Sequence, residues 1–205
     1  MHFAFIENKV VLRNYLRSGE SMKILQLKIT LKDVKPPVWR RVLVRDDITF
    51  YKLHRIIQYA MGWFESHLYE FRLGEMIIGE KEDNWDFYDR YEVKSAKRVK
   101  LSSMKFAPKD KFRYVYDFGD DWRHDIVVEK VFDPEEGVEY PVCIGGKRNC
   151  PPEDVGGPWG YENFLEAIQD PQHPEHEFML EWVGGSFDPE EFSIEEINNM
   201  LNIIK

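Results

Sequence analysis

Between Tyr116 and Tyr161 the chain gathers Asp117, Asp120, Asp121, His124, Cys143, Cys150 and Asp154. Carboxylates and imidazoles move protons or hold divalent cations, and thiolates favour zinc. Asp120 or Asp121 could orient His124 against a water, the arrangement of general-base chemistry. Asp117, Asp120 and Asp121 could instead hold a cation for phosphodiester cleavage. Because neighbouring side chains in a strand point to opposite faces, these acids converge only if the turn bends them together. Cys143 and Cys150 are separated by six residues, wider than the usual zinc knuckle, so a zinc site would draw on His124 as well. The competing account is structural. Gly119 and the aspartates shape a turn, and the cysteines are small core residues or a disulfide.

Other residues suggest binding. Gly145-Gly146-Lys147 and Gly156-Gly157 lack the Walker spacing, and Asp117-Phe118-Gly119 has no other kinase signature around it. The binding candidates are therefore side chains suited to protein or nucleic-acid contacts: Arg40, Arg41, Lys147, Arg148, Asp154, Trp122, Trp159 and Tyr161. Net charge is −9, unevenly spread. Residues 1–132 carry 25 Lys/Arg against 20 Asp/Glu, and residues 133–205 carry 3 against 17. The acidic third repels phosphates, while Lys35, Arg40, Arg41, Arg45, Lys52 and Arg55 could form a basic face. Solvated surface charge is the plainer reading. His173 and His176 flank a proline in a polar stretch, which suits a surface loop.

The elements that must position these residues are legible. Leu25, Leu27, Ile29 and Leu31 alternate as a strand, Pro36-Pro37 breaks it, and residues 38–44 resume as a second. Thr49 offers a helix N-cap before Phe50, Leu53, Ile56, Ile57, Ala60 and Met61, and Gly62 stops that helix. His54 lies beside its apolar stripe as a structural histidine. Residues 67–73 and 76–78 read as a hairpin, residues 81–91 as a polar, aromatic surface loop. Residues 111–118 and 122–128 alternate around a Gly-containing turn, a second hairpin. From Pro141 to Gly157 proline and glycine leave little room for regular structure. Three helical segments follow, the last opened by a capping box, Ser193 with Glu196. The pattern predicts an α+β fold: a largely antiparallel sheet, one early helix and a C-terminal group of helices. Residues 1–21 read as an N-terminal extension to a domain over 22–205. With 43% hydrophobic and 15% aromatic residues the chain can build a core. No apolar run reaches membrane-span length, no signal pattern opens the chain, and two cysteines suit a reducing cytoplasm.

Five ordered stretches resemble the plasmid Ri open-reading-frame-three family of bacteria and archaea: PPVWRR at 36–41, LHRIIQYAMGW at 53–63, HLYEF at 67–71, YDFGDDWRH at 116–124 and CIGGKRNCPPEDVGGPWGYENFLEA at 143–167. The resemblance spans residues 22–204 and implies a compact α+β domain. Members are sometimes labelled resolvase-like passengers of mobile elements. Serine-recombinase chemistry does not fit these residues. Ser18 and Ser21 lie in the extension, and Ser66 lacks surrounding arginines. The sequence thus points to a binding or interaction module, linked to mobile elements or nucleic acid. A metal-dependent phosphodiester hydrolase is the alternative, with zinc the one candidate cofactor.

Overall fold

The computed structural model describes residues 21–80 and 92–205; the expected extension over 1–21, apart from Ser21, and the expected loop over 81–91 lie outside the described residues. Among the described residues eight strands form one sheet: β1 (Ile24–Leu31), β2 (Trp39–Arg45), β3 (Tyr69–Leu73), β4 (Met76–Gly79), β5 (Glu92–Ser95), β6 (Lys111–Tyr116), β7 (Trp122–Phe132) and β8 (Val142–Lys147). Their order is β5-β4-β3-β6-β7-β1-β2-β8. Every pair is antiparallel except β4 with β5. The α-helices among the described residues are α1 (Phe50–Met61), α2 (Gly157–Gln169), α3 (His176–Trp182) and α4 (Ile194–Asn202). This is the α+β fold expected from the pattern, with one early helix and the others last.

Period-two alternation builds the sheet. In β1, Leu25, Leu27, Ile29 and Leu31 are buried, and Gln26, Lys28 and Thr30 are half-exposed on the other face. Phe112, Tyr114 and Tyr116 of β6 and Trp122, His124, Ile126 and Val128 of β7 join that buried face. α1 covers it with Phe50, Leu53, Ile56, Ile57 and Ala60, each essentially inaccessible. Burying one such aliphatic or aromatic side chain contributes about 1.5–3 kcal/mol. The Thr49 side chain accepts from Lys52 N, and Gly62 ends α1 in the left-handed region at φ 86°. Ser193 caps α4 through Glu196 N at 3.2 Å.

Two strands escape the sequence pattern. β8 lies within the Pro/Gly-rich stretch expected to be irregular. Its Gly146 is required by packing, since a Cβ there would sit 2.3 Å from Phe192 and 2.9 Å from Trp39 O. β5 is short and polar, and at the sheet edge it needs no apolar alternation.

Most of the basic candidates are already partnered. Arg41 pairs with Glu129 at 2.6 Å and lies over Trp39 opposite Lys28. Arg45 pairs with Asp47, Arg55 with Glu65, and Lys52 donates to Ile204 O. Arg40 is buried and donates to Ala60 O, Trp39 O and Lys147 O. A nucleic-acid phosphate would have to displace these partners.

Candidate metal centre

Three loops meet beyond one end of the central strands: residues 62–68 between α1 and β3, the turn 117–121 between β6 and β7, and residues 148–156 between β8 and α2. Trp63 lies buried beneath them. Its indole N–H donates to Pro151 O at 2.9 Å and its ring stacks on Tyr116, with centroids 5.2 Å apart. The Glu153 carboxylate accepts from Phe64 N at 3.0 Å and from the Tyr116 hydroxyl, which itself accepts from Ser66 N at 3.0 Å. Burial, then the Glu153 contact, holds the Tyr116 hydroxyl well above the usual phenol range. The third loop closes on the turn as Gly156 N donates to Asp120 Oδ2 at 3.2 Å. Gly157 has φ 70°, and a Cβ there would lie 2.5 Å from Asp120 O, so glycine is needed for this approach.

This scaffold brings His67, Asp117 and Asp154 together, with one ligand atom of each within 4.8 Å of the others. Asp117 Oδ1 accepts from Gly119 N at 2.9 Å and Asp120 N at 3.4 Å, an Asx-type turn, and its Oδ2 faces His67 Nε2 at 3.6 Å. Asp154 Oδ1 lies 3.0 Å from the same nitrogen. Both aspartates occupy the left-handed region, at φ 55° and 60°, which short polar side chains tolerate. His67 Nε2 is buried, and neither oxygen meets it with hydrogen-bond geometry. Such proximity suits ligands of a shared ion as well as a histidine–carboxylate ion pair. A cation with bonds of about 2.0–2.2 Å holds neighbouring ligand atoms roughly 3.0–3.5 Å apart. The Asp154 side chain is 70% exposed, which leaves one side of such an ion open to water. Beside Asp154 runs a cleft of about 610 Å³, lined by Phe64, Pro151, Pro152, Glu153, Trp182 and Phe187 among others. A separate pocket of about 240 Å³, between Arg40, Phe192 and Ile197, holds no histidine–carboxylate group.

The residues singled out from sequence divide. Asp117 and Asp154 join this centre, and Asp120 ties two of its loops. Asp121 turns to Arg123, at 3.3 Å. His124 is fully buried on β7, with Nδ1 3.1 Å from Trp122 O. Burial pushes its pKa down to about 4, so it rests neutral in the core and cannot reach Asp120 chemistry at the surface. Cys143 and Cys150 are free and buried. Cys150 Sγ packs 3.1 Å from Met61 Sδ, and burial raises both thiols. With His124 they form no ligand group among the described residues. Trp122, Tyr161 and Arg148 are buried, the last paired with Glu190, whereas Lys147 is exposed and Trp159 is 80% exposed. His173 and His176 engage Glu175 N and Ala167 O.

Sequence reasoning missed His67. It lies in the loop before β3, and its chemistry depends on Tyr69 pairing with Tyr116, which seats it beside Asp117. No local spacing carries that information.

All three ligand candidates fall inside the region shared with known proteins. The plasmid pRiA4b ORF-3-like protein family matches residues 23–196. The chain belongs to that family. An uncharacterized protein of Sinorhizobium fredii, y4hQ, is 41% identical over 181 residues, 87% of this chain and 91% of its own length. A crystal structure from Methanosarcina mazei Go1, of the protein of unknown function MM3350, is similar with a TM-score of 0.77 and 38% identity. It covers 86% of this chain and 97% of its own. Among the described residues no helix is long and apolar enough to cross a membrane.

Proposed function

We propose that this protein is a divalent-cation-dependent hydrolase, with the ion held by His67 Nε2, Asp117 Oδ2 and Asp154 Oδ1. The observation that carries this reading is the buried, unbonded His67 nitrogen between two carboxylates at 3.0 and 3.6 Å, beside an open cleft. Three protein ligands with an open side are the usual constitution of a catalytic rather than a structural centre. One imidazole and two carboxylates favour a first-row ion such as Zn²⁺ or Mn²⁺ over Ca²⁺. The ion would acidify a bound water and polarise the substrate oxygen. Asp117 and Asp154 would orient that water, and Glu153 would keep Asp154 in place through Phe64 N and Tyr116.

Chromogenic ester, amide and phosphodiester substrates, each with Zn²⁺ and with Mn²⁺, test the reaction. Metal-dependent turnover that Asp117→Asn abolishes is expected. Turnover unaffected by chelation, or none by a metal-loaded protein on any substrate, would remove the hydrolase reading.

A second reading keeps the three loops as a non-catalytic interaction surface. It is favoured by Phe64, Phe118 and Trp159, exposed at 79%, 45% and 80%, one on each ligand-bearing loop or the helix that follows it. Exposed aromatics of this kind suit protein contacts. A metal-loaded but inactive protein would favour it.

A further inference from the structure

We propose that the cleft beside the His67–Asp117–Asp154 centre binds a cationic peptide, a chain segment presenting lysine or arginine next to apolar side chains. The inference takes that centre as the neighbour of the cleft and names the class of molecule held against it.

The cleft walls supply two chemistries. Phe64 and Trp182 expose ring surface, at 79% and 43%, and Pro152 and Phe187 continue the apolar lining. Trp182 lies edge-on against Phe164, 6.0 Å between centroids, which orients its ring in the cleft wall. Glu153 and Asp154 line the same space, and among the described residues no lysine or arginine does. Aromatic faces and carboxylates together recognise alkylammonium or guanidinium groups, through cation–π attraction and charge-assisted hydrogen bonds. A divalent ion would neutralise Asp117 and Asp154 and leave the charges of Asp120 and Glu153 in place. Residues 133–205, Glu153 and Asp154 among them, carry 17 acidic against 3 basic side chains. That field attracts cations and repels polyanions at a distance.

Form selects a peptide. At about 610 Å³ the cleft falls in the range of about 300–1,000 Å³ typical of ligand sites. It admits a few side chains and not a folded domain, and its open mouth lets a longer chain enter and leave.

The test is fluorescence titration of the full chain with a Lys/Leu/Phe peptide, its Glu-for-Lys counterpart, spermidine and a single-stranded oligonucleotide, each with and without Zn²⁺. Circular dichroism verifies folding of the variants. The basic peptide should bind, more weakly as salt rises, while its acidic counterpart and the oligonucleotide should not. Trp182→Ala should weaken the peptide about tenfold, equivalent to about 1.4 kcal/mol, and leave Zn²⁺ affinity unchanged. Phe64→Ala, at a ring that is 79% exposed, gives the same readout with little effect on the fold. Equal binding of both peptides, preference for the oligonucleotide, spermidine matching the peptide, or unchanged affinity in both variants would each overturn the proposal. Zn²⁺ binding without peptide binding sinks this inference alone. Peptide binding without Zn²⁺ binding sinks the metal centre and leaves the cleft assignment standing.

Discussion

His124 and His67 both rest against aromatic rings, yet their surroundings give them opposite chemistry. His124 lies edge-on to Trp63 at 5.4 Å, fully enclosed, with burial holding its pKa near 4. His54 behaves alike: it stacks on Tyr69 at 3.6 Å, contacts the Tyr114 hydroxyl at 2.7 Å and has its pKa pushed down to about 3 by burial. His67 meets Tyr116 edge-on at 5.8 Å, but its other side faces two carboxylates and the surface. An aromatic wall alone makes a histidine a neutral core residue. An aromatic wall opposed by acids makes it a candidate ligand.

The comparison can be broken at several points. Trp63 supports both regions, touching His124 directly and carrying the loops of His67. Trp63→Ala should cost about 3–5 kcal/mol in denaturant unfolding and also abolish metal binding. Retained metal affinity in a folded variant would show that the loops hold themselves.

The buried histidines come next. Below pH 6.5 the unfolded chain protonates His124 and His54 while the folded chain does not. Their stabilising effect is therefore complete above pH 6.5 and is lost as pH falls toward about 4 for His124 and about 3 for His54. The loss through His124 alone should be on the order of 3 kcal/mol. Unfolding free energy measured across that window should fall less steeply in His124→Asn than in wild type, and an identical slope would contradict the assigned burial effect. Asp47 and Glu129, held low first by hydrogen bonds from Arg45 and Arg41, add loss of the same sign that begins as pH falls through the ordinary carboxylate range.

At the centre itself the expected effects move from stability to binding. Glu153→Gln should loosen Asp154 and weaken metal affinity about tenfold, the usual scale for a residue that positions a ligand. Asp154→Asn should weaken it at least as much while shifting unfolding by no more than about 0.5 kcal/mol, because the side chain is largely solvated. Isothermal titration and thermal melts on the same samples separate the two quantities.

Much of the fold was legible because alternation and capping are local. The runs through Leu25–Leu31 and Phe112–Tyr116 and the cap at Thr49 declare their elements without reference to anything distant. β8 was not legible, since Gly145 and Gly146 read as a loop and only the approach of Phe192 explains why a strand there must lack side chains. The centre was half legible. Asp117 and Asp154 stood out as acids in turn-rich motifs, whereas His67 sits before an ordinary strand and meets them only through the β3–β6 register. His124 drew attention by its proximity to Asp120 and Asp121 in sequence, but strand alternation sends it inward while the turn sends the acids outward.

The most direct test is Zn²⁺ and Mn²⁺ titration of chelator-stripped wild type, His67→Ala and His124→Ala, with folding verified for each. The account expects one equivalent bound by wild type and by any folded His124→Ala, and an affinity at least about 100-fold weaker in His67→Ala. No stoichiometric binding by wild type, or undiminished binding by His67→Ala, would contradict it.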